Sequence, residues 1–172
     1  MNLRKRSVIL FALTVVFTAV SAFAQGGSFS DTNVDYSFDL PDAKWKMTVK
    51  PSATNPNVEY VYGDRQDGHL IVRKQMVAKD ALLSDVVSDD EQKRQFLPGY
   101  VAGKQENFAG KSKGTVFNFE YVNAGRSMAG RYYFLRANET TVYILRFAGQ
   151  KDSLRSLRNQ TDQIVRTFNI KP

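Results

Sequence analysis

Four stretches in the C-terminal part of the chain, residues 101–108, 115–122, 128–137 and 140–148, have strand character and are separated by Gly or Asn turn signals, the pattern of an antiparallel meander. A meander with one wet face has a polar set of alternate residues on each strand. Here the polar set is missing. Phe117, Phe119 and Tyr121 are expected to point one way, and Met128, Tyr132, Phe134, Val142 and Ile144 the other. A sheet that is apolar or aromatic on both sides must be covered on both sides. A helix over 151–166 supplies one cover, with Leu154, Leu157, Thr161, Ile164 and Val165 at three- and four-residue spacing, and Phe168 and Ile170 return as a short strand or extension.

Upstream, residues 34–40 alternate as Val-Asp-Tyr-Ser-Phe-Asp-Leu and stop at Pro41-Asp42. Residues 45–49 form a second short strand that opens on Trp45, expected to be a core anchor, and 51–56 is loop by composition. Residues 58–62 and 69–76 read as strands around a turn over 63–68. A helix should begin near Asp80, whose carboxylate can satisfy free amides, and run to about Phe96 before Pro98-Gly99 stops it. Its apolar stripe is Leu82, Leu83, Val86 and Val87, then Phe96 and Leu97.

The N-terminus carries an address. Arg4, Lys5 and Arg6 precede an apolar run over 8–20, and the small residues Ala22 and Ala24 follow. That run is shorter than the roughly 20 residues a membrane-spanning helix needs. It reads as a signal peptide over 1–24, cleaved after Ala24, which implies a periplasmic or secreted protein with no membrane span after cleavage. Cleavage leaves 148 of the 172 residues and removes three basic residues and no acid, so the net charge falls from +7 to +4. A flexible lead over 25–33 and a single domain over 34–172 complete the organisation; there is no internal repeat.

The N-terminal strand ending in Pro beside Trp45 is followed by the turn Leu97-Pro98-Gly99-Tyr100 and the Gly-punctuated meander. The closing strand Val142-Tyr143-Ile144-Leu145-Arg146-Phe147 leads through a helix to Arg166-Thr167-Phe168. Together these residues resemble the PsbP-like family, shared by an extrinsic photosystem subunit, a Ran-binding nuclear import factor and many small bacterial envelope proteins. The resemblance spans roughly 34–170. It implies an α/β (α+β) fold, an α/β/α sandwich whose mainly antiparallel central sheet is flanked by helices. These are core and turn residues, so no binding or catalytic residue is carried over from the family.

Chemistry is narrowly bounded. Without Cys there is no disulfide, thiolate metal site or cysteine nucleophile, and a single His rules out a multi-histidine metal site within one protomer. His69 follows Asp67-Gly68 at a strand start with no nucleophile motif to serve, and is expected to be a hairpin-end or solvent-exposed residue. Asp85, Asp89, Asp90 and Glu91 lack the alternation and central Gly of a calcium loop and read as a solvated helix face. Glu106, Glu120 and Glu139 have no defensible catalytic partner, and residues 125–130 form a hairpin segment, not a phosphate loop. No metal and no cofactor is expected. The aromatic residues are spaced for the core, and the basic residues are interleaved with acids, so nucleic acid is not an expected partner.

Arginines on the meander stand out, because a guanidinium on a covered sheet must find a carboxylate, an edge or an anionic ligand. Arg131 alternates in phase with Tyr133 and Leu135 and is the leading candidate ligand-binding residue, followed by Arg146 and Arg126; an ion pair with Glu120 or a snorkelling edge position is the structural alternative for Arg131. The expected function is an exported, non-enzymatic binding or accessory module of the cell envelope, taking an anionic small molecule or an envelope protein. A small envelope enzyme of hydrolase type and a structural subunit of a larger assembly remain alternatives.

Overall fold

The computed structural model describes residues 26–171; the expected signal peptide lies outside them. The chain opens with β1 (Ser28–Ser30) and β2 (Tyr36–Asp39), followed by β3 (Trp45–Val49), β4 (Val58–Tyr62) and β5 (Gly68–Met76). Helix α1 (Leu83–Gln92) leads to the long strands β6 (Val101–Ala109), β7 (Lys113–Asn123), β8 (Arg126–Asn138) and β9 (Thr141–Gln150). Helices α2 (Lys151–Ser156) and α3 (Arg158–Thr167) and the two-residue β10 (Asn169–Ile170) close it.

The strands form a seven-stranded sheet in the order β3-β4-β5-β9-β8-β7-β6 and a small sheet in the order β1-β2-β10. Every pairing is antiparallel, so the class is α+β with mainly antiparallel sheet.

Both faces of the large sheet are buried along its central strands β8 and β9, while edge strand β6 is exposed at every residue but Phe108. On one face, Val116, Tyr133, Leu135, Tyr143, Leu145 and Phe147 join Leu154, Leu157, Ile164 and Val165 from α2, α3 and their junction, together with the aromatic residues of the small sheet. On the other, Phe117, Phe119, Tyr132, Phe134, Val142 and Ile144 meet Val86 and Val87 of α1. The facing assignment therefore needs correction, because the sets expected on opposite faces share one. Register is the reason: Phe117 lies opposite Tyr132 and Tyr121 opposite Met128, and residues directly opposite point to the same side. The inference of two covered faces stands because both alternate sets of β8 and β9 are apolar. Gly130 faces Phe119, and a Cβ there would fall 2.2 Å from the Phe119 ring, so the missing side chain is what seats that ring across the strand.

Local differences from the sequence reading have local causes. The segment 25–33, expected to be flexible, supplies β1, because Phe29 is buried between Phe38 and Tyr60. Helix α1 starts at Leu83, after Leu82 and without a side-chain cap, so Asp80 does not cap it. Phe96 lies beyond its end and is 90 % exposed, while Leu97 packs on the core. The last helix breaks at Leu157, where hydrogen bonds still pass from Leu157 N–H to Ser153 and from Thr161 N–H to Leu157.

Candidate functional site

A cleft of about 470 Å³ opens between edge strand β6 and helices α2 and α3. The strand period builds its floor, because Asn118, Glu120, Ala129 and Arg131 project from β7 and β8 on the face that α2 and α3 cover. Ala129 leaves room between the longer side chains of that floor. A register shift between Ala102 and Gln105 interrupts the pairing of β6 and presents Gly103 and Lys104 at the lip. Leu154, Lys151, Arg155 and Arg158 form the opposite wall.

Arg131 lies at the base of this cleft, on the face its phase with Tyr133 and Leu135 predicts, and it is buried. Its counter-ion is Asp162 of α3, with Nη2 at 2.8 Å, not Glu120. Nε also donates to the Tyr133 hydroxyl at 2.6 Å and Nη1 to Asn118 Oδ1 at 2.7 Å, while Tyr133 donates to Asp162. Burial pulls the guanidinium pKa down, but Tyr133 and Asp162 more than offset this and hold it above its ordinary value. Burial likewise pushes the Tyr133 hydroxyl up. This network fixes α3 to the sheet and gives the cleft a polar base with one set of charges already paired. Pairs ring the rim too: Lys151 meets Glu120 at 2.6 Å, and Arg158 reaches Glu106 at 3.7 Å.

The other flagged arginines lie elsewhere. Arg146 is on the α1 face of β9, bonded to Asp90, and Arg126 is at the end of the β7–β8 hairpin, bonded to Gln66. Asp90 is a correction. Expected on a solvated face, it is 4 % exposed, because it lies four residues after Val86 and three after Val87 and so shares their buried stripe. That spacing is legible in the sequence. His69 lies at a hairpin end, as the second residue of β5, and is half-buried; Nε2 is 2.8 Å from Glu59 Oε2, and Arg65 shares the same carboxylate at 3.2 Å. The nitrogen thus faces a carboxylate with a guanidinium beside it, and no hydroxyl. Among the described residues no group of three acidic or histidine side chains could hold a metal, and no helix is long and apolar enough to cross a membrane.

This arrangement of strands and helices is the PsbP-like fold. Cyanobacterial PsbP from Synechocystis superposes with a TM-score of 0.54 at 15% identity over 88% of this chain and 95% of its own. LpqN of Mycobacterium tuberculosis, described as involved in cell envelope biogenesis, gives 0.59 at 17% identity over 86% and 91%. PA94 of Pseudomonas aeruginosa, a protein of unknown function, gives 0.54 at 16% identity over 86% and 98%. At these identities the likeness concerns the fold alone. No protein-family model and no curated protein matches the sequence.

Proposed function

We propose that this chain is an exported, non-enzymatic binding or accessory module of the cell envelope. In this reading it is an α/β/α sandwich that takes an anionic small molecule or a segment of an envelope protein into the cleft between β6 and helices α2 and α3. The observation that carries the reading is the cleft itself, open at a sheet edge, with Ala129 in its floor and walled by Lys151, Arg155 and Arg158 with Lys104 at its lip. Arg131 supports that surface from below and holds α3 in place, so it is a positioning residue. The description of LpqN as involved in cell envelope biogenesis and the leader-like N-terminus agree with an envelope setting.

Affinity capture from envelope extract, read by mass spectrometry of proteins and small molecules, tests the function. A Lys104→Glu/Arg158→Glu variant changes only exposed rim charges and should lose at least tenfold of what the wild type retains, the scale of one charge-assisted contact. Undiminished capture by the variant would remove the cleft from the reading. Turnover of an envelope substrate abolished by His69→Ala in a folded protein would put the hydrolase alternative in its place. Export has its own test: N-terminal sequencing of the released protein should begin at Gln25, and intact Met1 in a membrane fraction would make the leader an anchor.

A further inference from the structure

On the opposite face of the sheet from the cleft, a cavity of about 520 Å³ lies between the C-terminal end of α1 and strands β5 and β9. Its charged lining is uneven. Arg73 of β5 and Arg146 of β9 are diagonal neighbours on one face, because Arg73 pairs with Ile144 and Ile71 with Arg146. Arg94 and Lys93 come from the end of α1, and Asp90 is the one carboxylate in the lining. Lys74, whose residue also borders the cavity, directs its ammonium to the other face, where it holds Asp35 at 2.6 Å. The nearby acids are engaged or turned away. Glu91 accepts from Tyr100, Glu59 serves His69 and Arg65, and Asp89 borders a separate hollow with Phe96. Four cations therefore border a cavity with one carboxylate, Lys93 at its rim also lining the hollow of Asp89.

The cluster is also pre-arranged. Asp90 bonds both Arg146 and Arg94, and both guanidinium groups lie over the Tyr132 ring, at 5.5 Å and 4.9 Å from its centroid. Two forks are thus held side by side against an aromatic wall. This costs free energy in the unliganded protein, since the Nε atoms of Arg94 and Arg146 are buried without a partner. Burial lowers the Arg146 pKa, and Arg94 and Arg73 lower it further, against the opposing pull of Asp90 and Tyr132. The Arg73 guanidinium has no hydrogen bond or ion pair to another described residue. An oxyanion here would meet guanidinium forks already in position and would offset positive charge that the protein leaves uncompensated. A monocarboxylate would leave two of the three excess charges unanswered; a phosphate dianion leaves one, and the cavity has room for the group that bears it.

We propose that this cavity is a second binding site, for a phosphate or phosphomonoester group held by Arg73, Lys93, Arg94 and Arg146. It is independent of the cleft, from which the sheet separates it, so failure of either reading leaves the other intact. The test is calorimetric titration of the purified exported protein with inorganic phosphate and with glycerol phosphate, against chloride at matched ionic strength. One site per chain is expected. Arg146→Ala would take one of the two partners of buried Asp90 and risks unfolding, so the informative variant is Arg73→Ser/Lys93→Ser, both exposed, which should bind at least tenfold more weakly with an unchanged melting temperature. Flotation with vesicles containing phosphatidic acid identifies the source. Binding lost in the same variant indicates a lipid headgroup, and binding to the soluble esters alone indicates a soluble ligand. Equal affinity in wild type and variant, or an equal effect of chloride, overturns the proposal.

Discussion

Trp45 joins three parts of the chain. Its ring lies 5.3 Å from Tyr62 and 6.0 Å from Phe147, and Nε1 donates to Gln160 of α3 at 2.9 Å. It is 4 % exposed. Trp45→Ala should therefore cost about 3 to 5 kcal/mol, the range for a buried aromatic, and a urea midpoint left in place would show that the ring is not anchoring the core. Asp162 presents a different case. Asp162→Ala leaves Arg131 buried without its counter-ion, and a loss of about 2 to 3 kcal/mol is expected, toward the low end for a buried pair because the carboxylate is about a quarter exposed. Chemical denaturation of Asp162→Ala beside Arg131→Met decides it, since the double variant should recover part of the loss. The phase of Arg131 is readable from its neighbours. Its partner is not, because Asp162 lies 31 residues on and reaches it only through the rotation of α3.

Strands were legible wherever alternation ran for five residues or more. The bounds of β3 and β4 follow directly from it, and those of the long strands differ by a residue or two. β1 was not legible, because Ser-Phe-Ser holds one apolar residue and no period; only tertiary burial of Phe29 makes it a strand. Phe29→Ala should accordingly lower stability by about 3 kcal/mol although it lies in a three-residue strand, and a neutral result in thermal melts would mean that β1 does not hold the small sheet. The bounds of α1 differ from the expected 80–96 because no side-chain cap marks its start, whereas the last helix begins at Lys151 and ends at Thr167, within a residue of the spacing's 151–166. The β7–β8 hairpin makes a further demand on its residues. Asn123 pairs with Arg126, and the two residues between them, Ala124 and Gly125, have φ of 48° and 74°. Such a turn favours Asn-Gly over Ala-Gly, so Ala124→Asn should stabilise the protein by about 0.5 to 1 kcal/mol. A lower melting temperature in that variant would contradict the turn geometry.

At the scale of the molecule, periodicity revealed a sheet buried on both sides but not which residues share a side, because that depends on register between strands. The same gap separated the flagged arginines. Nothing in their spacing places Arg131 under α3, Arg146 against α1 and Arg126 at a hairpin end, and the carboxylate that meets Arg146 is 56 residues away. Long-range pairing also decides how the two sheets hold together. Asp35, just before β2, accepts from Lys74 of β5 at 2.6 Å and from the Tyr143 hydroxyl of β9, so one carboxylate ties the small sheet to the large one. Burial raises its pKa, but these two donors more than offset the effect and hold it below the ordinary 3.8. A carboxyl group whose pKa is lowered on folding stabilises the folded state above its unfolded value, near 4, and loses that contribution as pH falls through the folded value. The melting-temperature gap between wild type and Asp35→Asn should then be full at pH 6 and shrink below pH 4. Asp31 and Asp42 are also held low, the first mainly by the backbone of Asn33 and the second by that of Lys44, so both proteins should still weaken in acid. A gap that stays constant from pH 6 to pH 3 would mean that the ionised Asp35 does not clamp the sheets and that the aromatic contacts of Tyr36, Tyr143 and Phe168 hold them alone.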